Sequence, residues 1–169
     1  MAKSLLSRSV LNQSVGLAGW LTVTFIAAAI GAVASAQAGA FYGQLVRPFW
    51  APPGWLFGPV WTVLYVLMAV AAWLVWRQSS GRSAAVALGL FVAQLAANAL
   101  WTWLFFVWNQ GAWAFVEVVL LWVLIALTVA SFYRHSVLAA ALLLPYLAWV
   151  TFAVALTWTT WRLNPAVLG

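Results

Sequence analysis

The stretch AAVALGLFVAQLAANALWTWLFFVW, residues 84–108, runs for 25 residues without a charged side chain. Coiled as a helix at 1.5 Å per residue it would be about 37 Å long. About 20 apolar residues are enough to cross the hydrocarbon core of a bilayer. Its two amides, Gln94 and Asn98, stand four apart and fall on one helical face, which Trp101 and Phe105 continue. In lipid a polar side chain turns toward other helices or a cavity. The stretch therefore predicts a membrane-spanning helix with one inward, partly polar edge.

Four more runs read the same way: residues 15–36, 54–76, 111–133 and 137–161. Between them lie short polar turns, residues 77–83, Asn109-Gln110-Gly111 and Arg134-His135-Ser136. The fold expected is an all-α integral membrane protein, a five-transmembrane-helix bundle over residues 15–169 behind a polar N-terminal extension, residues 1–14. Composition agrees: of 169 residues, 67% are hydrophobic and 5% charged, where a soluble domain has about 25% charged. Little length is left for a separate soluble domain. Residues 37–53 differ from the other connections. Pro48, Pro52 and Pro53 forbid a continuous helix, yet Phe41, Tyr42, Phe49 and Trp50 are too apolar for a plain solvent loop, so this segment reads as a cap over one end of the bundle. The first run carries small residues every four positions (Ala28, Ala32, Ala36), which suits close helix approach. A secretory signal with a cleavage site at Ala34-Ser35-Ala36 is the rival reading of that run.

The net charge of +6 comes from seven basic residues scattered singly between apolar runs, which excludes a nucleic-acid surface. Lys3, Arg8, Arg77, Arg82 and Arg134 fall at one end of the predicted bundle, Arg47 and Arg162 at the other. This bias places the N-terminus in the cytoplasm and the cap outside, in a multi-pass protein of a bacterial cell membrane. There is no cysteine, and Glu117 and His135 are the lone carboxylate side chain and the lone histidine. That excludes paired-carboxylate catalysis and a three- or four-ligand metal site within one chain; no required cofactor is expected. Glu117 can be a buried contact group, but its place near the start of the fourth helix fits an interfacial carboxylate at the positive helix end. His135 reads as a solvated turn residue, and Pro145 as a kink within the fifth helix.

Fourteen tryptophans exceed what an interfacial belt explains. Trp76, Trp108, Trp158 and Trp161 fit the belt; Trp61, Trp101 and Trp149 do not. Beside the Gln94, Asn98, Trp101, Phe105 face, Phe57, Trp61 and Tyr65 form a second stripe, and Tyr146, Trp149 and Ala153 a third. Such stripes can line an aromatic ligand pocket with sparse polar anchors, or they can simply pack helices together. Periodicity alone leans to packing. Ala85, Gly89, Ala93 and Ala97 make a separate small-residue stripe suited to a close helix contact, within the bundle or in a homodimer.

The run FYGQLVRPFWAPPGW, residues 41–55, together with Phe57, Pro59, Trp61 and Tyr65, resembles the first loop and second helix of the TspO/MBR family, the tryptophan-rich sensory and translocator proteins. The likeness continues through Gln94, Asn98, Trp101, Phe105 and Phe106, and through Pro145-Tyr146-Leu147-Ala148-Trp149. The resemblance implies a five-helix bundle, often dimeric, with a pocket opening toward the first loop. It implies binding of porphyrins such as protoporphyrin IX and of benzodiazepine-type drugs. Carried residue by residue, the pocket would involve Trp61, Asn98, Trp101, Trp113, Trp149 and Ala153, with Tyr42 and Pro48 from the cap. The chain departs from the family at Phe41, where many members have tryptophan, which weakens a light-dependent porphyrin-degrading activity. Trp158 replaces the tyrosine of the mitochondrial sterol motif, Thr157 a common asparagine, and Glu117 a frequent aspartate.

Overall fold

The computed structural model describes residues 10–169; the first nine residues of the expected polar extension lie outside it. Among the described residues, five helices are long and apolar enough to cross a membrane. They are α1 (Val10–Ala34), α3 (Phe57–Gln78), α4 (Arg82–Thr102), α5 (Gly111–Tyr133) and α6 (Val137–Leu163). Two short helices accompany them, α2 (Ala38–Gln44) in the cap and α7 (Pro165–Leu168) at the C-terminus. Residues 10–14, expected in the polar extension, already belong to α1. The cap is not all loop, because residues 38–44 contain no proline and coil as α2 before the prolines begin.

Around the bundle the order is α1, α3, α6, α5, α4 and back to α1. Met68 and Val75 of α3, Phe91 of α4, Ile125 and Phe132 of α5, and Leu143 and Tyr146 of α6 are wholly buried along its axis. The outer faces are apolar too: Val63, Val86, Leu120 and Leu138 are all exposed, as lipid-facing positions should be. The first helix is built into this ring. Trp20 meets Phe91 edge-on at 5.7 Å, Thr24 and Ala27 are buried, and the Trp73 indole donates to the Gln13 carbonyl at 3.0 Å.

The predicted third spanning helix changes winding near its end. After Thr102 the chain takes a π turn, Trp103–Val107, and the Trp108 amide reaches back five residues to the Trp103 carbonyl at 2.9 Å. A wider turn of this kind redirects side chains and recurs at functional sites. Pro145 lies inside an otherwise continuous α6. Its missing N–H falls on the exposed side, so the buried face through Tyr146 stays intact.

The two remaining single residues differ from expectation. Glu117 is buried, 6% exposed, with both carboxylate oxygens unpartnered among the described residues. Its face of α5 also carries Ala114 and Val118, both inside the bundle, so helical phase overrides closeness to the helix end. His135 is not merely solvated. Its two ring nitrogens lie 3.0 Å from Ser79 Oγ and 3.2 Å from Ser83 Oγ, which ties the turn after α5 to the end of α3 and the start of α4.

Candidate functional site

The polar face of α4 is fastened to two other helices. The Tyr65 hydroxyl on α3 donates to Asn98 Oδ1 at 2.7 Å. Asn98 Nδ2 donates to the Tyr146 hydroxyl on α6 at 3.1 Å. Tyr146 in turn donates to Gln94 Oε1 at 2.8 Å, and Gln94 Nε2 points at Met68 Sδ, 3.9 Å away. All four polar residues are buried. Asn and Gln supply both donor and acceptor, so one amide can answer two tyrosines. The geometry gives these amides the cross-helix packing role that periodicity favoured.

The network also positions an aromatic wall. Trp61 lies 5.5 Å from the Tyr65 ring and 6.1 Å from the Tyr146 ring. Toward the cap, Trp149 meets Phe57 edge-on at 5.9 Å, and Phe57 meets Tyr42 at 5.7 Å. Trp149 also contacts Phe152 at 5.6 Å, and Trp50 of the cap reaches Phe152 at 5.7 Å. Ala153 is half-buried against the same core. A second array stands across the bundle: Trp101 stacks on Phe105 at 5.4 Å and 15°, and Phe41 packs edge-on against Phe105 and Phe106. Helix α2 sits between the arrays, touching one through Phe41 and the other through Tyr42. The spacing of Trp101 and Phe105 is the helical one, and the π turn beginning at Trp103 lets Phe105 and Phe106 both reach α2.

The cap is held by an Asn164 latch that the sequence reading did not single out. Its Oδ1 accepts from the Val46 amide and its Nδ2 donates to the Val46 carbonyl, both at 2.8 Å. The available signal was an asparagine directly before Pro165 at the end of a helix. Tyr42 donates to the Pro52 carbonyl at 3.4 Å, and the Arg47 guanidinium lies 4.9 Å above the Tyr42 ring. Burial raises the Tyr42 phenol above its ordinary value, with Arg47 pulling the other way.

Of the expected site residues, Tyr42, Phe57, Trp61, Tyr65, Gln94, Asn98, Tyr146, Trp149 and Ala153 come together at the cap end and middle of one interior. Trp101 and Phe105 belong to the second array. Pro48 lines an open cleft of about 440 Å³ on the cap, with Leu45, Arg47, Phe49, Ala51 and Pro53. Trp113 stands apart: it is 64% exposed on the outer face of α5, one residue before the inward Ala114, and the structure does not bring it to the interior. Ala85, Gly89 and Ala93 also face outward, while Ala97, the last of the small-residue stripe, packs against the core.

Five apolar spans, an aromatic interior keyed by buried amides and a proline-rich cap define a polytopic helical membrane protein of the capped-bundle kind. The chain belongs to the TspO/MBR family, whose family model matches residues 19–162. The human translocator protein is 43% identical over 126 residues, 73% of this chain and 75% of its own length. The tryptophan-rich protein TspO of Chlorobaculum tepidum is 42% identical over 129 residues, 74% and 80%. The tryptophan-rich sensory protein of Cereibacter sphaeroides is 40% identical over 149 residues, 85% and 91%.

Proposed function

We propose that this protein is a membrane receptor for flat tetrapyrroles, protoporphyrin IX and haem-type rings, and for benzodiazepine-type ligands that share their flat aromatic shape. The observation that carries the reading is the aromatic row Tyr42, Phe57, Trp149, running from the cap into the bundle beside Trp61. Indole and phenol faces bind planar rings by offset and edge contacts worth about 0.5–1.5 kcal/mol per pair beyond burial. The Tyr65–Asn98–Tyr146–Gln94 network is the floor that fixes those rings. A ligand enters by displacing α2, whose two aromatic residues each cover one array. Binding rather than light-driven ring cleavage is the reading favoured at residue 41, where a phenylalanine is a far poorer electron donor than an indole.

The basic turns support a cytoplasmic N-terminus and an outward cap in a bacterial cell membrane, with a role in tetrapyrrole regulation or stress response. The outward stripe Ala85, Gly89, Ala93, with Ala97 at its edge, supports a homodimer through α4. Titrating purified protein with protoporphyrin IX should quench tryptophan fluorescence saturably at one ligand per chain. Trp149→Ala should weaken that binding at least several-fold. Non-saturating quenching, or unchanged affinity in both Trp149→Ala and Trp61→Ala, would refute the assignment.

A further inference from the structure

The cap cleft of about 440 Å³ is lined by Leu45, Arg47, Pro48, Phe49, Ala51 and Pro53, and Arg47 is the only charged residue among them. The chain's only acidic side chain is Glu117, which is buried in α5 with both oxygens unpartnered among the described residues. No side-chain carboxylate therefore neutralises Arg47. Its guanidinium carbon lies 4.9 Å over the Tyr42 ring, and a guanidinium carries five N–H donors, more than a single phenol oxygen can take. Tyr42 is the outermost ring of the row that continues through Phe57 to Trp149. A cation thus terminates the aromatic row, inside a cleft and with a rigid proline frame around it.

We infer that Arg47 is the carboxylate-reading residue of the site: it pairs with an acidic side arm of a flat aromatic ligand whose ring lies along the Tyr42, Phe57, Trp149 row. The inference rests on the proposed binding of tetrapyrroles and adds an orientation, carboxylates toward the cap and ring into the bundle. Guanidinium suits this role because its planar fork meets a carboxylate with two parallel N–H donors. Arg162, the other described cation at this end, lies outside the cleft, its guanidinium carbon 5.6 Å from the Trp158 ring and 5.9 Å from the Trp161 ring. It serves as the control, carrying the same charge at the same membrane face but outside the cleft.

The test compares protoporphyrin IX, a dicarboxylic acid, with its dimethyl ester, in detergent micelles free of anionic lipid. Arg47→Gln should weaken the diacid roughly ten-fold or more, the scale of losing a hydrogen bond to a charged group, and leave the ester unchanged. Arg162→Gln should leave both within about two-fold. Equal losses for the diacid in Arg47→Gln and Arg162→Gln would show a general charge attraction and overturn the inference. So would an Arg47→Gln loss that is the same for ester and diacid, which would mark a structural role through Tyr42. Failure of the wild-type protein to bind either compound would instead refute the tetrapyrrole reading itself.

Discussion

Replacing Asn98 by leucine removes both ends of the amide that joins α3 to α6 while keeping the number and branching of its side-chain heavy atoms. The Tyr65 hydroxyl loses its 2.7 Å acceptor and becomes a buried, unpaired donor, whereas Tyr146 keeps Gln94 at 2.8 Å. Leaving one buried polar group unsatisfied costs about 1–3 kcal/mol. Cross-helix hydrogen bonds within membranes average nearer 0.6 kcal/mol, because the unfolded helices also find partners. A loss of about 2 kcal/mol is expected for Asn98→Leu. Tyr65→Phe should cost less, about 1 kcal/mol, and the double variant should cost little more than Asn98→Leu alone, since the orphaned hydroxyl is gone. Reversible unfolding in mixed micelles by a denaturing detergent would measure all three. The cycle should return a coupling of about 1 kcal/mol between the two positions. Strict additivity, or a wild-type midpoint for Asn98→Leu, would refute the view that the amide face of α4 is a cross-helix fastener.

The other predictions concern the cap and its surroundings. Asn164→Ala should free Val46 and raise hydrogen exchange across residues 41–53 while the spanning helices stay protected; unchanged exchange in the cap would deny the latch. Because burial raises the Tyr42 phenol, its contribution to cap stability is fully present below the ordinary value of 10.0 and is lost as pH rises through the higher folded value. Alkaline titration should therefore loosen the cap in the wild type, and Tyr42→Phe should abolish that dependence. Gly111→Ala places a methyl group against the Trp161 ring and near the Leu168 carbonyl, so it should lower the unfolding temperature by several degrees. Trp113→Ala, on the outer face, should bind protoporphyrin IX as the wild type does.

Most of the bundle was legible in the sequence because hydropathy in lipid is nearly a one-dimensional signal. Residues 111–133 came out as one helix with the ends that α5 shows. Ends were less legible where polar residues continue a helix past its apolar run, as at Val10, Gln78 and Leu163. Glu117 was misplaced because distance from a helix end says nothing about which side of the helix a residue faces. His135 was misread because its partners Ser79 and Ser83 lie more than fifty residues away along the chain. The aromatic stripes were visible as periodicity, but periodicity does not say what opposes them. Only the closing of the ring, which sets α3 and α6 across the interior from the polar face of α4, shows that Tyr65 and Tyr146 meet Asn98. Trp113 entered the expected pocket through family resemblance alone, and the phase of α5 turns it outward.

The most direct test is a structure of the protein determined with protoporphyrin IX bound. The ring should lie beneath a displaced α2, against Trp149, Phe57 and Trp61, with a carboxylate at Arg47. A porphyrin seated instead on the outer, lipid-facing surface, with Phe41 and Tyr42 still packed on their arrays, would contradict it.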